Sequence, residues 1–269
     1  MHPVLFELGA LRVTSYGVAL VIAFGVGISV AARRAGRDGI PPDRVVDVGI
    51  LVLVASLLGS RLLWVLTHRE LIEGSVASAL LPWSGGRYGL SGLSMQGGVV
   101  AAVATAFSYL WWRGVPLLRA SDAMAPCVSL GEGITRIGCF LNGCCHGLVC
   151  EWPWGVSFPA GSQAVERFGA VAVHPTQLYA SAGGFAIFAL LASGLVGGRF
   201  PGATLCAWLV LFGLQRLLVD VFRYYESSVT LFHAGGLPFT VNTAVAVAMV
   251  AAGVAGYAAL SSGTSKRSR

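Results

Sequence analysis

Charge is scarce in this sequence. Asp, Glu, Lys and Arg make up 11% of its 269 residues, against roughly 25% in an ordinary soluble domain, and that shortage excludes the water-soluble globular classes. Nucleic-acid partners are excluded as well. The net charge is +6, but the cations stand in short groups between apolar runs and leave no soluble basic face for a polyanion. No basic n-region precedes the first apolar run and no A-x-A pattern ends it, so an uncleaved first helix is expected. The six cysteines include no C-x2-C pair of the kind common in zinc sites; no metal is expected, and adjacent Cys144 and Cys145 make a disulfide framework a weak reading. An internal repeat of the sort that marks many transporters is also missing.

What is present is apolar length. Hydrophobic residues make up 55% of the chain and the mean hydropathy is +0.74. Charge-free runs at residues 13–32, 90–112, 175–195 and 237–260 are each long enough to cross a hydrocarbon core of about 30 Å. Three further runs carry charges: 48–67 with Arg61, 123–141 with Glu132 and Arg136, and 204–222 with Arg216 and Asp220. The pattern predicts an all-α, polytopic integral membrane protein with about seven transmembrane helices, forming a single domain over residues 1–269. Lys and Arg accumulate on the cytoplasmic side. An outside N-terminus puts Arg33, Arg34, Arg37, Arg44, Arg113, Arg119, Arg199, Lys266, Arg267 and Arg269 inside, and leaves Arg12, Arg69, Arg87, Arg167 and Arg223 in or beside outer loops. Residues 1–12 are then a lead-in on the outer surface, 148–174 an outer-face loop and 261–269 a cytoplasmic tail.

The chemistry concentrates where charge enters the apolar runs. Residues 132–147 read EGITRIGCFLNGCCHG, placing Arg136 at membrane depth, where an ionisable side chain costs roughly 2.5–3.5 kcal/mol and needs a partner, a cavity or a substrate. Glu132 stands one turn earlier in the favoured acid-first order, so a plain ion pair is one reading. Arg216, Asp220 and Arg223 follow at i, i+4 and i+7 on one helical face, and Asp220 is placed to orient both arginines. Arg136 and Arg216 lie on spans that open to the same outer side. Their guanidinium forks match phosphate oxygens in bidentate geometry and stay charged at any accessible pH, which points to a lipid phosphate entering sideways from the bilayer. Gln96, near the start of the third span, either binds a ligand oxygen or ties two helices together. Tyr16 at the mouth of the first span is an interfacial anchor or a site residue. His174, Gln177 and Tyr179 put three polar groups at one mouth.

The run Arg136 to Gly143, closed by Gly147, resembles the signature of the bacterial prolipoprotein diacylglyceryl transferases. So do S-Y-G at 15–17, G-S-R at 59–61, the pair Gly97-Gly98, H-P-T-Q-L-Y at 174–179 and Q-R-L-L-V-D-V-F-R at 215–223, in family order over nearly the whole chain. The resemblance implies transfer of the diacylglyceryl group of phosphatidylglycerol to the lipobox cysteine of a prolipoprotein signal peptide, in a bacterial inner membrane, with a thioether formed, glycerol phosphate released and no cofactor required. It further implies that Arg136 and Arg216 hold the lipid phosphate, that Asn142 and Gly143 shape the headgroup site, that Tyr16 lines it, and that Asp220 and Arg223 match a family carboxylate and arginine. Gln96 departs from the pattern, standing where the best-known branch has histidine. A general base for the incoming thiol would then be His146 or His174, unless neighbouring arginines lower the thiol pKa enough to make one unnecessary. Phe212 replaces a usual tyrosine, and Cys139 and Cys144 stand where some branches have Asn and Glu. Three rival readings are a diverged paralogue that binds phospholipid but modifies another acceptor or none, a lipid or anion transporter, and a thiol oxidoreductase using Cys144 and Cys145.

Overall fold

The computed structural model describes the chain apart from residues 2, 9–10, 69–82, 85–86, 89–93, 226–229, 235–236 and 268–269. The expectations placed on Arg69, on the start of the third span and on Arg269 fall outside the described residues. In chain order come β1 (Val4–Leu8), β2 (Leu11–Thr14), α1 (Ser15–Arg37), α2 (Pro42–Thr67), β3 (Trp83–Ser84), β4 (Arg87–Tyr88), α3 (Met95–Trp112) and α4 (Leu117–Asn142). β5 (Val156–Ser157), α5 (Gln163–Phe168), β6 (Ala172–Val173), α6 (Thr176–Ala192), α7 (Ala203–Phe222), β7 (Thr230–Ala234), β8 (Leu237–Thr240) and α8 (Val241–Arg267) complete it. The molecule is mostly helical. Among the described residues four helices are long and apolar enough to cross a membrane: α1, α2, α7 and α8 over Val241–Ser262; α6 is apolar but shorter.

Large aliphatic side chains stand outward on these helices, with Val21 74% and Leu218 66% exposed. In water such surfaces would drive association; in a bilayer they are the solvated face. Helix ends follow local chemistry. Gly39 leaves α1 at φ 73°, a left-handed position that glycine adopts without penalty. Pro42 and Asp43 then occupy the first turn of α2, where a missing N–H costs nothing and a negative charge meets the positive end of the helix.

The all-α expectation agrees with this mostly helical chain, which also carries short strands between its helices. β1 and β2 pair antiparallel and join β4 and β3 in a four-stranded sheet, β5 pairs with β6, and β7 pairs with β8. The lead-in is therefore a pair of antiparallel strands. L-R-V-T alternates apolar and polar residues, a period-two pattern that suits a strand, but V-L-F-E-L does not, and in segments this short hydropathy alone gives no strand signal.

The chain divides into two compact units. One comprises residues 4–14 and 28–120. Its helices α2 and α3 pack backbone to backbone: the Ser94 N–H donates to the Ser60 carbonyl at 3.0 Å, and a Cβ at Gly59 would stand 2.6 Å from the Gly97 carbonyl oxygen. Farther along, the Tyr109 hydroxyl donates to Asp47 Oδ2 at 2.6 Å. The Arg61 guanidinium lies 5.0 Å from the Trp64 ring centroid. The other unit comprises residues 1–3, 15–27 and 121–269. There α4 is the hub. Its Asp122 carboxylate caps α7, accepting from the Gly202 and Leu205 N–H groups at 2.7 and 2.8 Å, so the free N–H groups of that helix end are satisfied from another helix. Ser181 of α6 donates to the Gly133 carbonyl at 2.7 Å, Trp208 of α7 donates to Ser129 at 2.9 Å, and Gln215 of α7 donates to the Ala180 carbonyl at 2.9 Å. Away from water such bonds between helices supply much of the specificity of packing.

Gly59→Ala should destabilise the α2–α3 contact by about 1–3 kcal/mol, the usual cost of overpacking, because the new methyl meets backbone that has no room to move. Thermal unfolding in detergent checks this, with Gly25→Ala as the control, since a Cβ there meets nothing within 4 Å.

Candidate active site

α4 ends in the glycine- and cysteine-rich stretch, and its last residue is Asn142. Gly143 turns the chain at φ 76° and Cys145 follows at φ 63°, the one non-glycine left-handed residue among those described. That backbone costs an L-residue roughly 1–2 kcal/mol. It is held by the start of α6: Thr176 Oγ1 donates to the Cys145 carbonyl at 2.9 Å and Gln177 Nε2 donates to the Cys144 carbonyl at 2.6 Å. Beyond the turn the chain threads between two neighbours. The Gly147 N–H donates to the His174 carbonyl and the Leu148 N–H to the Phe222 carbonyl, both at 2.9 Å. A Cβ at Gly147 would stand 2.5 Å from the Phe222 oxygen and 2.8 Å from the His174 oxygen, so only glycine fits. The cysteine turn, the head of α6 and the end of α7 are thus joined by main-chain bonds.

Those bonds bring together the charged residues of two helices. Nε and Nη2 of Arg136 each lie 3.5 Å from Glu132 Oε1, so the ion pair anticipated from their spacing is present, at long distance. Arg216 Nε lies 3.2 Å from Asp220 Oδ1. Its Nη2 donates to the Tyr225 hydroxyl at 2.6 Å, which in turn donates to Asp220 Oδ1 at 2.7 Å. Burial raises the Tyr225 pKa to about 12, which keeps it neutral and able to donate. Asp220 was expected to orient both arginines; its side chain meets Arg216 and Tyr225, while the Arg223 guanidinium lies 5.4 Å from the Tyr225 ring centroid. Arg216 is within electrostatic reach of both Arg223 and Arg136. Three guanidinium groups face two carboxylates, leaving one positive charge in excess. Glu132 Oε2, Gln177 Oε1 and Asp220 Oδ2 are buried without a hydrogen-bond partner among the described residues, as suits a site that closes around a hydrated or polar ligand.

Beside the arginines lie three free thiols, Cys139, Cys144 and Cys145, with sulfur atoms all within 4.8 Å of one another. Cys145 is the acidic member: hydrogen bonds from Cys139 and Cys144 hold its pKa low, and Arg223 and Arg136 add charge attraction. Asn142 hydrogen-bonds Cys144. Tyr16, at the head of α1, is within electrostatic reach of Arg136 and all three cysteines.

The two histidines sit in aromatic boxes. His146 is 6% exposed. Its Nδ1 is 3.0 Å from the Gly147 carbonyl, which can only accept, and its ring stacks on Tyr224 and meets Phe168 edge-on. His174 is 9% exposed, 5.4 Å from the Trp152 ring and 5.0 Å from that of Phe222. Its Nδ1 is 3.1 Å from the Tyr179 hydroxyl, which accepts from Trp154 Nε1 at 2.9 Å. Burial lowers the His174 pKa, so the ring is neutral.

Most of the anticipated residues therefore converge: Tyr16, Arg136, Asn142, Gly143, Arg216, Asp220 and Arg223 surround the cysteine turn, with His146 and His174 at its flank. Gln96 belongs to the other unit, where it accepts from Ser94 Oγ at 3.1 Å. Tyr225 and Thr176 were not anticipated. Tyr225 lies beyond the end of α7, so helical periodicity does not connect it with Arg216; its one signal was an aromatic pair directly after Arg223.

Comparison with known proteins gives a concordant result. The family model described as prolipoprotein diacylglyceryl transferase matches residues 3–259. The chain is similar to the phosphatidylglycerol–prolipoprotein diacylglyceryl transferase of Geobacter sulfurreducens, with 31% identity over 94% of this chain and 93% of the relative. It is also similar to the proteins of that name from Pseudoalteromonas translucida, with 30% identity over 86% and 84%, and Parasynechococcus marenigrum, with 29% identity over 82% and 80%.

A pH dependence follows from His174. With its folded-state pKa below the usual value near 6.5, the unfolded chain takes the proton first, so stability present above about pH 6.5 is lost as the pH falls. His174→Gln should remove part of the drop in melting temperature between about pH 6.5 and 5; an unchanged pH profile would place the acid sensitivity elsewhere.

Proposed function

The chain belongs to the prolipoprotein diacylglyceryl transferase family, and on that premise we propose how its site works. The protein is a membrane transferase that moves the diacylglyceryl group of phosphatidylglycerol to prolipoproteins. The acceptor is the lipobox cysteine thiol. Its sulfur attacks the glycerol carbon that carries the phosphodiester oxygen, the C–O bond breaks, and glycerol phosphate departs with the bonding pair, leaving a thioether on the acceptor. This is the first step of lipoprotein maturation, in the inner membrane.

The observation that carries this reading is the arginine cluster, where three guanidinium groups are only partly neutralised by Glu132 and Asp220. Arg136 and Arg216 hold the phosphate and stabilise the charge that grows on the leaving oxygen, the contribution that dominates most catalysis of this kind. Arg223 adds charge, Asp220 and Tyr225 fix the Arg216 fork, Asn142 and Gly143 shape the headgroup site, and Tyr16 borders it. We assign Gln96 to the lipid-binding side. We assign His146 and His174, boxed by aromatic rings, to holding the mouth in shape. A groove of about 460 Å³ between α6 and α7, lined by Tyr179, Ile187, Leu190, Leu211, Leu218 and Phe222 among others, suits an acyl chain entering from the bilayer. The distribution of Lys and Arg supports seven spans with the N-terminus outside and the C-terminus cytoplasmic.

Purified protein supplied with phosphatidylglycerol and a lipobox peptide should release glycerol phosphate and add one diacylglyceryl mass to the peptide cysteine. Phospholipid binding without peptide modification would favour the diverged paralogue, for which Gln96 and Phe212 are the motivating residues. Arg136→Ala and Arg216→Ala should each lower transfer by about 100-fold or more, the scale of losing an electrostatic donor in the transition state; Arg136→Lys should also be poor, because an ammonium lacks the fork. Normal turnover in either alanine variant would remove the phosphate clamp. For topology, a reporter that works only in the cytoplasm should be active when fused to the C-terminus and silent when inserted between residues 148 and 174; the opposite result would invert the orientation.

A further inference from the structure

Ionisation of the acceptor thiol is the step that the arginines, always protonated, do not themselves perform. Glu132 is held by Arg136, Asp220 is shared between Arg216 and Tyr225, and the two histidines are nine-tenths buried among rings. What stands beside the arginines is a trio of thiols, Cys139 buried and Cys144 and Cys145 only partly covered. Their sulfurs, within 4.8 Å of one another, are near the spacing of roughly 3.8 Å that tetrahedral thiolates adopt with Zn–S bonds of about 2.3 Å, so small rotamer changes close the site.

Three observations set this trio apart from a chance cluster. It is drawn from two pieces of chain and fixed between them: Cys139 comes from the last turn of α4, and its carbonyl accepts both the Cys144 N–H at 3.2 Å and the Cys144 thiol at 3.7 Å. Cys145 occupies a left-handed backbone position that glycine or asparagine would take at lower cost, so its sulfur is placed there at the expense of backbone strain. Both carbonyls of the pair are clamped by α6 through Thr176 and Gln177, the kind of outer support that orients metal ligands. Among the described residues the group has three ligands and no fourth His, Asp or Glu, and sites that do chemistry keep such a position open. The transfer moves no electrons between redox states, so a redox-inert cation with affinity for sulfur suits it.

We propose that Cys139, Cys144 and Cys145 bind a zinc ion as thiolates, and that the acceptor cysteine of the prolipoprotein takes the fourth position, where it is ionised. This rests on the transferase reading above and departs from the metal-free enzyme that the sequence suggested. On coordination the acceptor thiol gives up its proton to water, since a metal-bound thiol is deprotonated. The sulfur pair then attacks the glycerol carbon, the C–O bond breaks, and glycerol phosphate leaves beside Arg136 and Arg216. The new thioether, neutral and a poor ligand, departs from the metal and reopens the position.

The test uses full-length protein, purified in detergent under reducing conditions, stripped with a chelator and titrated with Co2+ as a spectroscopic stand-in. One equivalent should give intense thiolate-to-cobalt absorption that Zn2+ displaces. That absorption should be lost in Cys139→Ser, Cys144→Ser and Cys145→Ser but kept in Cys206→Ser, with melting temperature reporting that each variant is folded. Gln177→Ala, which leaves all three thiols in place, should weaken binding by about 10-fold to 100-fold. A lipobox peptide should shift the cobalt spectrum, and the same peptide with serine for cysteine should not. Stripping the metal should lower transfer by about 100-fold or more, in the range for losing an acid–base group, and Zn2+ should restore it. Absence of thiolate absorption, a spectrum indifferent to the cysteine peptide, or full transfer by metal-free protein would each overturn the proposal. If the cobalt spectrum responds to the peptide but zinc-loaded protein transfers nothing from phosphatidylglycerol, the ligand site stands and the transferase reading fails instead.

Discussion

Positive charge held in an apolar surrounding is the constraint from which the rest of this molecule follows. A guanidinium at membrane depth is tolerated only with partners, and Arg136 and Arg216 meet that condition incompletely, with Arg223 within electrostatic reach just past the end of α7. Arg136 has Glu132 at long range, Arg216 has Asp220 through both a direct contact and Tyr225, and Arg223 lies over an aromatic ring. Full neutralisation would have left no net charge; three guanidinium groups facing two carboxylates leave one positive charge in excess. The carboxylates are therefore positioning groups as much as counter-charges, and the tyrosine that joins Arg216 to Asp220 sets the direction in which the fork points.

The local fold serves that arrangement. Arg136 is on α4 and the other two arginines are at the end of α7, so something must keep these segments together without filling the space between them. The segment after the cysteine turn does so with main-chain bonds, pairing on one side with His174 and on the other with Phe222. Asp122 caps α7 at its far end. Secured at both ends, α7 presents Arg216 and Asp220 at a fixed height against the cysteine turn. The left-handed residue, the close-packed glycine and the clamped carbonyls all fall within this short stretch, where backbone strain tends to accompany function.

Much of this was legible without coordinates, and the reasons are specific. Apolar runs in a chain poor in charge leave few alternatives to membrane helices, because an unpaired backbone group costs several kcal/mol in lipid. The helical spacing of Glu132 with Arg136, and of Arg216 with Asp220, announced ion pairs that the structure contains. Convergence of the H-P-T-Q segment with the cysteine motif could be suspected from motif order, but its form could not. Gln177 and Thr176 bind carbonyls more than thirty residues away, and no periodicity encodes such a bond. Tyr225 escaped for the same reason, and the small sheets escaped because strands of two to five residues leave little hydropathy signal.

The sequence by itself determined that this is a membrane protein and which charges pair along its helices, since hydropathy and helical spacing are local properties that survive in any arrangement of the chain. Only the tertiary structure decided that Asp220 serves Arg216 through Tyr225, that the histidines are boxed in aromatic rings, and that Cys139, Cys144 and Cys145 bring three sulfurs to one point. Each of these depends on where a loop returns after leaving a helix. That path is set by main-chain bonds between distant segments, which composition and spacing do not specify.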